Sequence, residues 1–170
     1  MRAARSRPQI HNMDQAQIIQ ILNQQLPGTI VEEQPGAVVI RKESLLAVAG
    51  ILKGSSLAFD SLHCVTAVDR KDKIEVVYHL YTFKHRFMLT LKVFLAMDDL
   101  TVETLSGVWH SANWLEREVY DLFGVKFLNH PDLRRILNPE EWTDFPLRKD
   151  FDRPDFYRLP QSEGLKAGGG

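Results

Sequence analysis

The chain has 170 residues, of which 44% are hydrophobic and 25% charged, and this composition is typical of one globular domain with its own hydrophobic core. Its formal net charge of −1 argues against a dedicated nucleic-acid binder, because such proteins usually carry a strongly basic face. The single cysteine, Cys64, excludes an intrachain disulfide and also an iron–sulfur cluster held by cysteines of this chain alone.

The two ends of the chain are predicted to lie outside the folded domain. Residues 1–13 are basic and lack the apolar core of a secretory signal. We interpret them as a disordered extension, with Met1 or Met13 as the start and a short mitochondrial targeting sequence as the alternative. Residues 161–170 are glycine-rich and are expected to be a disordered tail. No apolar run in the sequence approaches the roughly 20 residues that a transmembrane helix requires.

The first third of the chain predicts two helices and two strands. Apolar residues recur at helical spacing over residues 14–26, and a Pro-Gly pair ends that helix. Short strands at 29–33 and 37–41 flank a Gln-Pro-Gly turn signal. A second helix is predicted over residues 43–53, and a glycine follows it.

Three strands and a third helix are predicted next. The first strand covers residues 59–68, and a charged turn leads into a hairpin with strands at 74–81 and 86–94. Apolar residues at spacings of three and four predict the helix over residues 101–109. Strands that meet as neighbours, with helices segregated around them, indicate an α+β fold rather than a doubly wound sheet. We therefore expect an α+β domain over residues 14–124, with a mostly antiparallel sheet and helices packed on one face.

The hairpin loop, taken as residues 82–85, fixes the pairing of its two strands. It places Val76 opposite Leu91 on one face and Glu75 opposite Lys92 on the other. The first face is apolar throughout and is expected to pack against the helices. The second face is mixed, so it is expected to be solvated or covered by another element.

A further helix begins at Trp114 and ends at Gly124, a natural C-terminal cap. No regular period continues beyond that glycine, and residues 125–160 are predicted to be an irregular, extended segment that binds a partner protein. Within it we expect one helical turn capped by Asn138. We also expect an extended stretch at 145–150, since the residue before a proline avoids the helical region. An irregular segment rich in Arg, Tyr, Phe and Trp is typical of protein interfaces.

Three carboxylates on this helix, Glu116, Glu118 and Asp121, leave three interpretations open. A general acid–base pair is conceivable, but Glu116 and Glu118 point about 200° apart around a helix. An ordinary charged helix face, with Arg117 four residues before Asp121, explains the pattern more simply. Burial of the carboxylates against the arginines downstream is the third interpretation.

Other catalytic and binding chemistry finds little support in the sequence. The histidines are scattered, and none has the i, i+4 spacing of a zinc-binding helix, so we expect a structural or interface role for His130. Glycine-rich phosphate loops and nucleophile motifs are absent. Basic residues near aromatic ones would suit RNA, but interleaved acidic residues favour a protein surface as their partner. These basic residues are Arg134, Arg135, Arg148 and Lys149.

Three runs of residues carry a resemblance to a known family. They are residues 114–124 (WLEREVYDLFG), 130–137 (HPDLRRIL) and 146–150 (PLRKD), in that order along the chain. Together they resemble the signature of the thirty-kilodalton subunit of NADH:quinone oxidoreductase, which is respiratory complex I. Outside these runs the chain agrees with the family in length and in alternating pattern.

The resemblance implies a non-catalytic structural subunit of the hydrophilic arm of a proton-translocating enzyme complex. The chain would dock on and stabilise the quinone-site subunit, which is the forty-nine-kilodalton type, beside neighbouring iron–sulfur subunits. It would hold no cofactor itself, with iron–sulfur clusters, FMN and quinone in partner subunits.

The implied location is peripheral, on the cytoplasmic side of a bacterial inner membrane, with the mitochondrial matrix side as the alternative. Membrane contact would come only through partners, and no nucleic acid would be bound. Relatives in membrane-bound hydrogenases and in the plastid and cyanobacterial complex make an equivalent subunit there the alternative function.

The residues expected at the partner interface combine charges of both signs with aromatic side chains. They are Glu116, Arg117, Glu118, Tyr120, Asp121, His130, Asp132, Arg134, Arg135, Trp142, Arg148, Lys149, Asp150, Phe156 and Tyr157. Two other functional classes remain open: a free-standing enzyme that uses the three helical carboxylates, and an RNA-binding module.

Overall fold

The computed structural model describes residues 13–54 and 56–152, and within those ranges it contains three helices and seven strands. In chain order they are α1 (Gln15–Gln25), β1 (Ile30–Gln34), β2 (Ala37–Ile40), α2 (Leu45–Gly54), β3 (Ser61–Asp69), β4 (Lys73–Thr82), β5 (Phe87–Ala96), β6 (Thr101–Glu103), α3 (Ala112–Phe123) and β7 (Lys126–Leu128). A short 3-10 turn, Lys42–Ser44, leads into α2. No helix in the described ranges has both the length and the apolar character needed to cross a bilayer.

Five strands form the main sheet, in the order β1-β2-β5-β4-β3. Neighbouring strands run antiparallel except β2 and β5, which are parallel. One face of the sheet shares a single core with all three helices. That core joins Leu22 of α1, Leu52 of α2 and Val119 of α3 to Val76 and Leu91 of the sheet. The predicted α+β fold, mostly antiparallel with its helices on one face, is confirmed.

α1 begins at a capping box, in which the Asp14 carboxylate accepts from the Gln17 N–H at 2.8 Å and the Gln17 side chain accepts from the Asp14 N–H. The first two helices and the five sheet strands were predicted within two residues of their observed ends. Met13 packs against the core, so it belongs to the folded part rather than to the predicted extension. Residues 1–12 and 161–170 lie outside the described ranges.

The predicted hairpin register is wrong by two residues. Val76 lies opposite Val93 rather than Leu91, because the loop occupies residues 83–86. Arg86 adopts a left-handed conformation, with φ 54°, and the loop closes one residue later than the sequence suggested. A shift of two keeps every side chain on its predicted face, so the apolar face still packs on the helices.

On the opposite face of the sheet, ion pairs between side chains of that face cover part of the surface. Glu75 lies opposite Phe94 rather than Lys92, but its carboxylate still reaches the Lys92 ammonium at 2.7 Å and the Arg70 guanidinium at 3.0 Å. Burial by itself would raise the pKa of Glu75, and the hydrogen bonds from Lys92 and Arg70 hold it below its ordinary value. This face is therefore covered toward the end that carries Glu75 and open near the hairpin loop, where Met88 is exposed.

The predicted helix at 101–109 is wrong. Thr101–Glu103 is the strand β6, which pairs in parallel with β7 in a separate two-stranded sheet. Only a tight turn follows it, in which the Trp109 N–H donates to the Leu105 carbonyl at 2.8 Å. The partner strand lies beyond the whole of α3, so no local pattern reveals the pairing.

The irregular segment begins later than predicted. β7 lies inside the predicted range 125–160, and Val125 and Phe127 belong to the buried core. From residue 129 to 152 the described chain forms no helix or strand, as predicted. Residues 153–160 of the predicted segment lie outside the described ranges.

Candidate functional site

α3 carries three charged side chains that are buried. Glu116 and Asp121 have no exposed surface, and Arg117 is nearly covered. The helix ends at Gly124, whose φ of 80° is the left-handed conformation that favours glycine, and whose N–H donates to the Tyr120 carbonyl at 2.9 Å. Buried charges are costly unless they are paired, so each of the three must have specific partners.

Asp121 holds the irregular segment through five hydrogen bonds. One carboxylate oxygen accepts from the backbone N–H groups of Ile136, Leu137 and Asn138, at 3.0, 2.7 and 2.9 Å. The other accepts from the Arg135 guanidinium at 2.6 Å and from the Asn138 side-chain amide at 3.0 Å. We call these five residues the carboxylate clamp.

The clamp keeps Asp121 ionised. Burial by itself would raise the pKa of this carboxyl, but the hydrogen bonds from Asn138, Arg135 and Leu137 outweigh burial and hold the pKa well below its usual range. Arg135 is fixed further by the carbonyls of Asp121 and Asp144, at 2.9 and 3.0 Å. The interpretation in which a helix carboxylate is buried against a downstream arginine is confirmed for Asp121.

Arg117 supports the same segment from the preceding turn of α3. Its guanidinium donates to the carbonyls of Arg134 and Arg135 at 3.1 and 3.2 Å. It also lies 3.8 Å from the Asp132 carboxylate and 5.0 Å from the centre of the Trp114 ring. Arg134 itself is exposed and pairs with Asp132 at 2.9 Å. The i, i+4 ion pair considered within α3 is wrong, because both of its members turn to the irregular segment instead.

The Glu116 side chain is fully buried in the domain. One of its oxygens accepts from the Leu105 N–H at 2.7 Å, and the other accepts from the Thr104 hydroxyl. Burial raises the pKa of Glu116 to about 7, although these two hydrogen bonds act in the opposite direction. The His130 ring, equally buried, lies 3.9 Å from the carboxylate, which is too far for a hydrogen bond.

His130 is neutral and has one tautomer. Its Nδ1 accepts from the Asp132 N–H at 3.1 Å, so Nε2 carries the proton and donates to the Asn113 carbonyl at 3.1 Å. Burial lowers the pKa of the ring, and this outweighs the hydrogen bond to Asn113, which raises it. His130 therefore ties the start of the irregular segment to α3.

The three helical carboxylates do not come together as an acid–base site. Glu118 is exposed to solvent, whereas Glu116 and Asp121 are buried with their oxygens occupied. Neither of the two buried carboxylates has exposed surface. In the part of the chain that the structure describes, no three His, Cys, Asp or Glu side chains converge as metal ligands.

Phe145 packs the later part of the irregular segment onto α3. Its ring lies against Gly124, where an added Cβ would come within 2.7 Å of it. The Arg135 guanidinium lies 5.2 Å from the ring centre, and the Tyr120 ring meets it edge-on at 6.4 Å. Gly124 is thus required twice, for its backbone conformation and for its lack of a side chain.

The prediction that residues 145–150 run extended is wrong, because the chain turns there. The Leu147 N–H donates to the Leu122 carbonyl at 3.1 Å, and the Lys149 N–H donates to the Asp69 carboxylate at 2.8 Å. The latter hydrogen bond is the main reason that the pKa of Asp69 is lowered. These bonds to α3 and β3 fold the segment back onto its own domain, and proline geometry alone does not reveal them.

The predicted helical turn after Asn138 is present as a single hydrogen bond, from the Trp142 N–H to the Pro139 carbonyl at 3.1 Å. The Asn138 side-chain amide donates to Asp121, so the hydrogen bond of this side chain serves the clamp instead of the predicted N-cap. Sequence reasoning therefore placed the turn correctly but missed the partner, because nothing local marks a contact across 17 residues.

The exposed apolar residues of this region were missed by sequence reasoning. Trp114 is 61% exposed, Leu137 63% and Leu147 53%, and Leu128 is also open to solvent. We call these four residues the α3 surface. A groove of about 850 Å³ runs beside Trp114 and is lined also by Leu46. In a segment without a regular period, the sequence does not show which leucines are exposed.

The predicted interface residues separate by burial. Those open to solvent are Glu118, Asp132, Arg134, Lys149 and Asp150, whereas those partly or fully buried are Glu116, Arg117, Tyr120, Asp121, His130, Arg135, Trp142 and Arg148. The four basic residues considered for RNA form no common exposed patch, since Arg135 is in the clamp and Arg148 pairs with Asp150 at 3.2 Å. Phe156 and Tyr157 lie outside the described ranges.

Residues 38–157, which include α3 and the clamp, match the sequence profile of a family described as the respiratory-chain NADH dehydrogenase 30 Kd subunit. The chain belongs to this family. A relative from the NADH-quinone oxidoreductase of Geobacter sulfurreducens is 48% identical over 118 residues, which are 67% of this chain and 72% of the relative. Another relative, from the F420H2 dehydrogenase of Methanosarcina mazei, is 38% identical over 148 residues, 82% of this chain and 93% of that protein.

Two solved structures have a similar fold. A trypsin-resistant fragment of Nqo5 superposes with a TM-score of 0.59 and 28% identity, covering 68% of this chain and 98% of that one. A chain of the membrane-bound sulfane sulfur reductase, an archaeal respiratory membrane complex, has a TM-score of 0.71 and 24% identity, covering 89% and 96%. The second likeness shows that the fold is shared.

Proposed function

We propose that the chain is a non-catalytic structural subunit of a proton-translocating NADH:quinone oxidoreductase that docks on and stabilises the quinone-site subunit. Family membership supports the complex, and the α3 surface supports the docking. In this proposal other subunits hold the iron–sulfur clusters, FMN and quinone, and neighbouring iron–sulfur subunits share the interface. The chain lies at the cytoplasmic side of the membrane and contacts the bilayer only through its partners.

The observation that carries this proposal is that the carboxylate clamp fixes a backbone whose central side chain, Leu137, is exposed. Three consecutive N–H groups bind one oxygen of Asp121, which fixes the direction of this turn. Burying a carboxylate and an arginine is costly, and the chain's own core gains little apolar burial from Leu137 in return. When an apolar anchor is already ordered in the free chain, less conformational entropy is lost on association. The clamp therefore favours binding of a partner through Leu137.

Charges of both signs flank these apolar anchors along the chain. Asp132, Arg134, Lys149 and Asp150 are exposed, and they lie before and after Leu137 in the irregular segment. A mixed rim of this kind contributes mainly to the choice of partner and to register. An RNA backbone would be attracted by the basic members and repelled by the acidic ones, so a protein partner fits better.

The proposal divides the described chain at residue 128. Residues 13–128 form the α+β domain, because β7 belongs to its core. Residues 129–152 form the partner-binding segment, which the clamp, Phe145 and Lys149 attach to that domain.

The experiment is co-purification of the quinone-site subunit with the tagged, full-length chain from cells that express the whole complex. Replacing both Leu137 and Leu147 by Ser removes two exposed anchors. Because interface anchors each contribute more than about 1 kcal/mol, the retained quinone-site subunit should fall about tenfold or more. Val31→Ser, at an exposed residue of β1, is the control and should retain it fully. Full retention by the double variant would overturn the proposed docking surface.

A second candidate function is the equivalent subunit of a related membrane complex with another electron donor. The similarity to the F420H2 dehydrogenase relative, over 82% of the chain, favours it. The docking would be the same, so the donor has to be measured on the purified complex. Quinone reduction driven by NADH supports the first function, whereas reduction only by a deazaflavin donor supports the second.

A further inference from the structure

The tip of the β4–β5 hairpin carries an aromatic cluster on the sheet face that turns away from the helices. Tyr81 and Met88 are paired directly across the two strands. The Phe83 ring lies 5.0 Å from the Tyr81 ring, edge-on at 80°, and the His63 ring lies 5.2 Å from Tyr81. Phe83 is 63% exposed and Met88 50%. The cluster is therefore ordered by its own contacts and is open to solvent.

The domain's own core does not account for this cluster. Side chains alternate along a strand, so Tyr81 faces away from the core that Leu80 joins. Further along the same face, Glu75 is closed off by Lys92 and Arg70, so the opening is confined to the tip. Two large exposed apolar side chains beside further rings are a feature of binding surfaces more than of a solvated strand end.

Basic residues follow Phe83 in the hairpin loop. Lys84 and Arg86 in the hairpin loop are both exposed. His85 and Lys84 lie within hydrogen-bond distance of the Ser56 carbonyl, at 3.0 and 3.3 Å, which fixes the loop on the domain. One acidic residue, Asp60, lies next to β3 at this end of the sheet and is exposed. The tip is thus apolar at its centre and cationic at its edge.

We propose that this tip, formed by His63, Tyr81, Phe83, Arg86 and Met88, is a second docking surface that binds an acidic protein surface with an apolar recess. Phe83 enters the recess as an aromatic anchor, and Arg86 pairs with carboxylates at its edge. Membrane recognition uses clusters of about 4–8 basic residues, and nucleic-acid recognition uses a basic face. The described residues of the tip form neither, so a protein is the partner that their charge fits.

The tip is separate from Leu147, which the proposed function uses as an anchor. Asp69, which binds the Lys149 N–H, pairs with Ile74 at one end of β4, whereas Tyr81 pairs with Ser61 at the other end. Seven residues of strand at roughly 3.3 Å each place these ends about 23 Å apart. The tip also lies on the face of the sheet opposite to α3. The tip and Leu147 are therefore separate contact points, and the chain can bind a protein surface at each of them.

The first test is a cross-link from the tip in the intact complex. The full-length chain, with photo-reactive benzoylphenylalanine in place of Phe83, is co-expressed with the other subunits of its complex, purified and irradiated. We expect one main adduct, with another subunit of the complex, at a peptide that contains Asp or Glu. The same photo-reactive residue in place of Val31, also exposed, is the control and should not give that adduct.

The second test separates the aromatic anchor from the charge. Phe83→Ser removes the ring and Arg86→Glu reverses the charge, and each should lower the retention of the cross-linked subunit about tenfold. The loss caused by Arg86→Glu should shrink at high salt, because salt screens exposed charges. Lys71→Glu is a matched control, since Lys71 is also exposed, lies in a turn of the same sheet, and has a positive φ of 75°.

Several results would overturn the second docking surface. One is an assembled complex without any cross-link from position 83. Another is a cross-link only to a second copy of the chain, to nucleic acid or to lipid. A third is that both tip variants, Phe83→Ser and Arg86→Glu, retain every subunit as the wild type does. Both side chains are exposed, so replacing them leaves the core intact.

Discussion

Replacing Asp121 by Asn tests the carboxylate clamp. The side chain keeps its shape, but one of its two oxygens becomes an NH2 group that can only donate. Either the three N–H groups of residues 136–138 or the Arg135 guanidinium then meets a donor instead of an acceptor. Breaking a buried ion pair on one side costs about 3–5 kcal/mol, and because Asn keeps one acceptor we expect about 3 kcal/mol.

The loss should be local rather than global. A domain of this size has about 5–15 kcal/mol of stability, so Asp121→Asn should still fold. Hydrogen exchange should accelerate on the peptide that contains Ile136, Leu137 and Asn138, while the amides of the central strand β4 stay protected. Because the folded pKa of Asp121 is lowered, its contribution is present above the ordinary carboxyl pKa and is lost as pH falls below about 4. The variant should therefore differ most from the wild type at neutral pH.

Asp132→Asn is the control for this experiment. Asp132 is exposed and pairs with the exposed Arg134, so its loss should leave exchange at residues 136–138 unchanged. The clamp would be refuted if Asp121→Asn also left exchange there unchanged at pH 7. It would be refuted equally if the two variants accelerated exchange by the same factor.

Three further predictions concern the domain. The pKa of Glu116 in the folded state is about 7, above its ordinary value of 4.5, so the folded state favours the protonated carboxyl. The free energy of unfolding should therefore decrease by up to about 3 kcal/mol as pH rises from 5 to 8. In urea melts, Glu116→Gln should flatten this dependence on pH. Gly124→Ala places a Cβ at a residue with positive φ and against the Phe145 ring, so thermal melting should show a loss of about 2–3 kcal/mol in the free energy of unfolding. An unchanged free energy of unfolding would mean that the Phe145 ring moves freely. Val76→Asp should destabilise the domain by several kcal/mol, because it places a carboxylate in the core. Thr90→Lys, on the other face of the sheet, should destabilise it by about 1 kcal/mol. Equal losses of stability would show that both faces of the sheet are buried.

Sequence patterns were sufficient where the deciding contacts are close along the chain. The stripe of α1 and the alternation in β4 and β5 gave these elements within two residues. The same reasoning failed for β6, because Thr101–Glu103 acquires its strand partner from the far side of α3. The hairpin register failed for a smaller reason, since the left-handed conformation of Arg86 moves the loop by one residue.

The candidate site shows a second limit of sequence reasoning. Glu116 and Asp121 are both fully buried carboxylates on one helix, yet their pKa values move in opposite directions. The difference follows from the number of donors: Asp121 accepts five hydrogen bonds and Glu116 two. Three of the five come from backbone N–H groups, which every residue but proline has, so no motif distinguishes them.

The family resemblance supplied what local physics did not. The runs around α3 and Arg135 indicated that these residues act together, and the structure shows the contact at 2.6 Å. The resemblance did not indicate that Leu137 is exposed at the centre of the clamp. An apolar residue within an irregular segment can equally well be buried in the core.

The central claim is that the α3 surface contacts the quinone-site subunit. The most direct measurement places a photo-reactive residue at Leu137 in the full-length chain, assembles the complex and maps the adduct by mass spectrometry. The claim predicts that the main adduct joins position 137 to the quinone-site subunit, and that Asp121→Asn lowers its yield. An assembled complex in which position 137 cross-links only to other subunits, or to none, would contradict it.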